Sequence, residues 1–494
     1  MIDGNAAQRA SLAGLIHFAA TALSSLIQLA LLTHYLPKEL AGLWALALTL
    51  ANYLLFFDFG IGPTLTREIS FRIGGRTEPP TSDLAKARDI FATGSRITTL
   101  LSIVAILIGV TLGKTIFIKA CPPEHLEDIE IAWFLFVVAV GMNLKSTTFF
   151  AALEGSGVIG VAKLTRASVV VVSLFITFIG LSLAPGSLAI GWTYAIQGAF
   201  LLFFSYFQFR RKTLLWGAGT VQMSLAKDLA KPSMQWTLTS IGALLLFHTS
   251  NLIIASRLSI TDVVRFDSIM RAGQAFLIFS LTPALATVAI QSALHARDQP
   301  AYLTSMVMSN CKHALTSMAI LTSSFAIFHE TIIRMWLGDS YVPRPLIVYV
   351  LMAMFVLETN HFALASSVMS TGHLRFYMPA LLGGALNLVL ALWLVSPLGL
   401  VGVAISLFFS QFLTNNWYVT AVSLNTLRIP FRRYARNVLS PTLFVLAVSI
   451  GVNLILRHFS SHWSPWAQVA AVLLLAGLLL LTTTFRPYAG QAKY

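Results

Sequence analysis

Long apolar stretches fill this 494-residue chain, separated by short segments rich in charge, glycine or proline. Hydrocarbon offers backbone N–H and C=O groups no water, so a crossing segment must be a helix or part of a closed barrel, and a helix needs roughly 20 mostly apolar residues. The stretches reach that length, which predicts helical spans near 11–34, 41–62, 90–112, 129–150, 165–184, 188–209, 235–256, 268–291, 311–329, 346–369, 376–395, 400–421, 438–457 and 466–485, fourteen in all. The first run, Ser11 to Tyr35, is a full-length span that leads straight into another, so it is expected to be retained rather than cleaved as a secretory signal.

Only 11% of the residues are charged and 56% are hydrophobic, whereas soluble domains carry roughly a quarter charged residues. So few charges build no water-facing surface, and the expected class is an all-α, polytopic membrane protein of about 14 transmembrane helices without a soluble domain. A net charge of +14 would suggest nucleic acid in a soluble protein. Here it sorts by loop. With the N-terminus inside, segments 67–89, 210–234 and 422–437 share one face and hold Arg67, Arg72, Arg76, Lys86, Arg88, Arg210, Arg211, Lys212, Lys227, Lys231, Arg428, Arg432, Arg433 and Arg436, fourteen of the 33 basic residues. The opposite loops hold few basic residues, together with the acidic Glu124, Glu127, Asp128 and Glu130. That asymmetry and the even span count predict both termini in the cytoplasm, and the charge leaves no role for nucleic acid. Of the two cysteines, Cys121 falls outside and Cys311 near the inner face, too far apart to bridge, so both are read as plain thiols.

A faint internal repeat is present. A shift of 223 residues lays Leu23–Thr33 on Leu246–Ser256, pairs Gln28 with Asn251, and brings Glu39 onto Asp262. Six spans and a basic loop fit that period, so the copies would share one orientation, as in parallel-repeat transporters. The expected organisation is a six-helix bundle over 1–212, a second over 213–427 and two additional helices over 428–494.

The stretch Leu36 to Ile69, LPKELAGLWALALTLANYLLFFDFGIGPTLTREI, resembles the entry to the polysaccharide flippases of the multidrug/oligosaccharidyl-lipid/polysaccharide exporter superfamily. Asp58, Gly60, Gly62, Thr66, Arg67 and Glu68 carry the likeness, with an echo in Ala152-Leu153-Glu154-Gly155 after span 4. The resemblance implies two six-helix bundles of the MATE type around a central cavity, working by alternating access. It further implies carriage of an undecaprenyl-pyrophosphate-linked oligosaccharide from the inner to the outer leaflet for O-antigen or exopolysaccharide synthesis. A polysaccharide polymerase and a chain-length regulator are the partners it implies. Drug exporters of the superfamily usually have twelve spans, so fourteen favours the lipid-glycan branches; the peptidoglycan-precursor flippases also have fourteen and remain an alternative.

A charge in hydrocarbon costs roughly 2.5–3.5 kcal/mol on insertion scales, so each needs a partner, a wet cavity or an escape to the interface. Arg96, Lys145 and Arg271 stand inside spans, where a cationic cavity would receive an anionic pyrophosphate or sugar acid. The competing reading is that they snorkel, and for Arg271 that it pairs with Asp267 one turn earlier. Asp58, beside Gly60, Gly62 and Pro63, sits where the helix will open; it takes up a proton or holds sodium, or else caps the continuing helix or pairs with Arg67. Glu358 near the middle of span 10, with His361 on the same face, is the first choice for ion coupling, against a plain interhelical hydrogen bond. His248, Asn251 and Gln28 are mid-span polar groups that bind substrate or glue helices together.

No GxxxxGK[ST], HExxH or CxxC occurs, so neither ATP hydrolysis nor a metal or other cofactor is expected, and energy is expected from an H+ or Na+ gradient, from substrate concentration or from another subunit. A glycan polymerase or ligase would need a reaction site, usually on a long outer loop. The longest outer loops here run to about fifteen residues, around Cys121 and Tyr341, so a carrier is favoured over an enzyme. A cation-coupled drug or metabolite antiporter would want a negative cavity, and three basic candidates against two acidic ones tilt away from it.

Overall fold

The computed structural model describes residues 4–74, 78–113, 115, 126–217, 219–296, 298–369 and 376–484. Arg76, Lys114, Lys119, Cys121 and Glu124 lie outside the described residues. The chain is all-helical among the described residues and divides into two compact units, Met1–His248 and Thr249–Tyr494. The first contains α1 (Gly4–Tyr35), α2 (Lys38–Leu55), α3 (Ile61–Ile73), α4 (Thr81–Leu112), α5 (Leu126–Gly155), α6 (Ile159–Leu183), α7 (Ser187–Lys212) and α8 (Met223–Phe247). The second contains α9 (Thr249–Arg257), α10 (Ile260–Ala286), α11 (Val288–Ala296), α12 (Pro300–Leu337), α13 (Pro345–Met369), α14 (Tyr377–Leu398), α15 (Leu400–Ser410), α16 (Trp417–Thr426), α17 (Phe431–Tyr434), α18 (Ser440–Phe459) and α19 (Pro465–Thr484).

Among the described residues, thirteen helical runs are long and apolar enough to cross a membrane. The remaining expected span, 400–421, is present as α15 and α16 joined by a π-helical stretch, Gln411–Asn416. The helices overrun their apolar cores, and this corrects the loops. Arg67 and Arg72 lie on α3, Lys86 and Arg88 on α4, and Lys227 and Lys231 on α8, all in segments expected to be loop. The connection around Tyr341 spans only 338–344, shorter than expected. A water-exposed helical turn carries no apolar signature, so hydropathy alone ends a helix too early.

In the first unit α7 packs along α5 through small residues seven apart: a Cβ on Gly191 would stand 2.6 Å from Ala132 Cα, and one on Gly198 would stand 2.9 Å from Ala139 Cα. Where lipid removes the hydrophobic drive between helices, such close approach supplies the packing. Trp44, fully buried, donates from its indole nitrogen to Ser187 Oγ at 3.2 Å and ties α2 to the start of α7. In the second unit the 38-residue α12 packs against α10, α13, α18 and α19. The two C-terminal spans dock on it through buried polar contacts, Ser323 with Ser449 at 2.7 Å and Asn453 Nδ2 to Ser324 Oγ at 3.1 Å, while Gln468 accepts from Thr331 at 3.0 Å.

Gly191→Ala is expected to lower the melting temperature in detergent, because overpacking against a fixed backbone costs about 1–3 kcal/mol. Gly451→Ala on α18, where a Cβ meets nothing within 4 Å, is expected to leave it unchanged.

Candidate functional site

Span 2 does not run through. After α2 a short 3-10 turn, Phe56–Asp58, leads into Phe59 and Gly60, both in the left-handed region at φ 45° and 69°. Gly60 is required twice over, for its φ and because a Cβ there would stand 2.5 Å from Trp236 Cβ and 2.8 Å from the Ser233 carbonyl of α8. The break exposes the first N–H groups of α3, and Asp58 Oδ2 accepts from Gly62 N at 3.1 Å, with the Thr147 hydroxyl 3.3 Å from Oδ1. The capping geometry weighed for Asp58 is therefore formed. Arg67 lies over the Phe71 ring, 5.3 Å from its centroid, rather than on Asp58.

Asp58 opens onto a cavity of about 600 Å³ within the first unit, walled by α3, α5 and α6 and lined by Arg67, Thr147, Glu154, Lys163 and Arg166. Both stretches that carry the family likeness meet here, because Gly155 lets α5 approach α3: a Cβ on it would stand 2.9 Å from the Thr66 carbonyl. Glu154 Oε1 is 3.2 Å from Lys163 Nζ and 3.9 Å from an Arg166 terminal nitrogen. The Arg166 guanidinium stacks 4.2 Å from the Phe150 centroid, and its buried Nε has no hydrogen-bond partner among the described residues. Three cations against two carboxylates leave this lining at +1. Lys163 and Arg166 were not among the residues the sequence singled out. Their signal is legible afterwards: an acid closing one helix, a short Gly-containing turn, then two basic residues three apart on one face of the next.

The remaining sequence candidates fall in separate places. Lys145 donates to the Ser95 carbonyl at 2.8 Å and to Ser95 Oγ at 2.7 Å, while Arg96, one residue on, is exposed. Gln28 donates to the Tyr194 hydroxyl at 2.6 Å, and His248 Nδ1 stands 3.4 Å from Asn52 Nδ2. In the second unit Arg271 makes a 2.6 Å ion pair with Asp267, whose other oxygen is 3.5 Å from Asn251 Nδ2. The structure thus brings Arg271 and Asn251 together around Asp267.

Glu358 is 1% exposed, with Oε1 3.5 Å from His361 Nδ1 and Oε2 lacking a hydrogen-bond partner among the described residues. The π-helical stretch packs against α13, and Ser410 Oγ, Gln411 Nε2 and Asn416 Oδ1 are likewise buried and unsatisfied. Each such group costs about 1–3 kcal/mol left alone. A region holding several is chemically suited to a proton, a small cation or water. No group of three or more His, Cys, Asp or Glu that could hold a metal occurs among the described residues.

These features define a multi-pass α-helical membrane protein with a MATE-like transporter fold. The chain aligns with an inward-facing multidrug resistance MATE family transporter of the MOP superfamily at TM-score 0.67 and 13% identity, covering 82% of this chain and 96% of that one. An outward-facing MATE family transporter aligns at TM-score 0.59 and 15% identity over 87% and 96%. A MOP superfamily transporter from Pyrococcus furiosus, described as having a binding pocket of reverse polarity, aligns at TM-score 0.61 and 14% identity over 87% and 96%. No curated protein matches in sequence. The sequence profile described as "Polysaccharide biosynthesis protein" matches residues 11–290, and the chain belongs to that family.

The Asp267–Arg271 pair yields a test of its own. Removing one partner of a buried ion pair costs about 3–5 kcal/mol, while apolar replacement of both is often neutral. Asp267→Leu alone is expected to lower the melting temperature far more than Asp267→Leu with Arg271→Met, as read by thermal unfolding in detergent.

Proposed function

We propose that this protein is a flippase that carries an undecaprenyl-pyrophosphate-linked oligosaccharide from the inner to the outer leaflet of the bacterial inner membrane, for surface polysaccharide assembly. The observation that carries the reading is the positively lined cavity of the first unit, in which the Asp58–Arg67 and Glu154–Gly155 stretches converge with Lys163 and Arg166. Arg166 and Lys163 line it, and guanidinium pairs bidentately with phosphate oxygens, so the cavity suits a diphosphate. Positive-inside topology puts these connections on the cytoplasmic face, where such a headgroup is made. The polyprenyl tail stays in the bilayer while the polar head crosses. The termini are cytoplasmic on this reading, and a polymerase and a chain-length regulator act downstream on the delivered unit.

Coupling falls to Glu358 with His361, and to Asp58. A proton or sodium ion shifts the carrier between states only if it binds one more tightly than the other. Proton antiport is the assignment made here, with sodium as the alternative ion. The solved neighbours named for multidrug transport favour a drug antiporter as second reading; the net positive lining speaks for an anionic cargo instead.

Reconstituted into liposomes with labelled lipid-linked oligosaccharide, Lys163→Gln/Arg166→Gln is expected to lower the initial translocation rate at least tenfold, about 1.4 kcal/mol of barrier. A wild-type rate would refute the anion cavity. An outside-acid gradient is expected to accelerate wild-type transport and to lose its effect in Glu358→Gln; acceleration by sodium instead would reassign the ion. If the gradient still accelerates both Glu358→Gln and Asp58→Asn, neither residue couples transport.

A further inference from the structure

Three connections of the second unit, α9 to α10, α12 to α13 and α14 to α15, meet around a pocket of about 460 Å³. All three follow odd-numbered candidate spans, connections that the alternation expected from the sequence assigns to the outer side. The charged lining is Asp262, Arg265 and Arg344.

Arg265 is held in place. Its Nε and one terminal nitrogen donate to the Ser340 carbonyl at 3.1 and 2.9 Å, and the other terminal nitrogen donates to Asp262 Oδ1 at 2.7 Å. Three of its five N–H groups are thereby used and two remain. Asp262 is occupied as well: Oδ2 accepts from Ser259 Oγ at 2.7 Å, and its own N–H returns to that oxygen at 3.1 Å. Arg344 is exposed, and it stands between Pro343 and Pro345, which stiffen its backbone and present the guanidinium from a rigid turn. Gly399, at φ +59°, starts α15 without a side-chain cap, so the N–H groups of Leu400 and Val401 in the pocket wall have no helical acceptor. One carboxylate already neutralised, two guanidinium groups with donors to spare and unpaired amides make a surface for an anion.

We propose that this pocket is a second, outward-facing anion site that takes a phosphate or pyrophosphate headgroup. Its volume exceeds what one phosphate fills and leaves room for a diphosphate. Its assignment to the carried lipid, as a landing site for the headgroup after crossing, rests on the flippase reading; its affinity for the anion does not. An ordinary phospholipid phosphate has the same chemistry and is the other source.

The test is site-directed protection in the full chain. Val401→Cys, with Cys121→Ala to remove a background thiol, is placed in proteoliposomes and labelled with a membrane-impermeant maleimide. Inorganic pyrophosphate is expected to slow labelling at least tenfold, sodium chloride of equal ionic strength to have no effect, and Arg344→Gln to abolish the protection. Unchanged labelling at millimolar pyrophosphate overturns the site. Protection by undecaprenyl pyrophosphate but not by phosphatidylglycerol assigns the pocket to the carried lipid. The reverse pattern keeps the anion site and overturns that assignment. Because the readout is local to Val401, failure of translocation in Lys163→Gln/Arg166→Gln leaves this result standing.

Discussion

An opened backbone in hydrocarbon has nothing to bond, and that constraint organises this molecule. At several departures from regular helix among the described residues, polar side chains gather at the irregular turn. At Phe59–Gly60 the freed N–H of Gly62 goes to Asp58. At the α8–α9 break His248 lies beside Asn52. Along Gln411–Asn416 the widened turns are covered by their own amides, with Asn415 donating to Gln411 Oε1 at 2.8 Å and Asn416 to the Gln411 carbonyl at 3.2 Å. The irregular points are therefore where polar chemistry has been brought into the membrane.

The sequence was informative in proportion to how local each feature is. Span number and order follow from hydropathy, a property of each segment by itself, so thirteen of the fourteen expected spans recur among the described residues as runs long and apolar enough to cross, and Leu400–Thr426 is helical but interrupted by the π-helical stretch. Helix ends in water leave no such mark, so hydropathy assigns Arg67 and Lys86 to a loop although they lie on α3 and α4. Asp58 was legible because an acid beside Gly60 and Gly62 conflicts with an apolar span. Lys163 and Arg166 were not, since a basic residue at a helix entrance on the predicted inner face looks like topology. What distinguishes Arg166 is tertiary: Phe150 beneath its guanidinium and Glu154 from another helix.

Pairing also separates structural charges from available ones. Arg271 draws the eye as a cation deep in a span, yet Asp267 neutralises it one turn away and Asn251 joins them, an arrangement sufficient to explain a polar cluster in a buried interface. Lys145, bound twice to Ser95, is likewise accounted for by its neighbours. Arg166 lines the cavity with a buried Nε that has no hydrogen-bond partner among the described residues, and an unfilled buried donor is expensive to keep.

The same criterion ranks the two acids. Asp58 is held by an amide and approached by a hydroxyl in a geometry that anchors α3. Glu358 has one oxygen near His361 and the other with no partner among the described residues, on a helix packed against the π-helical stretch. A group whose surroundings leave it unsatisfied gains most from binding a proton or cation, and it loses that gain when packing changes. Coupling by linkage requires this sensitivity, because an ion bound equally well in both states moves nothing. Of the two proposed coupling residues, Glu358 is the one its neighbours satisfy less, while Asp58 also anchors α3 and shapes the cavity beside it.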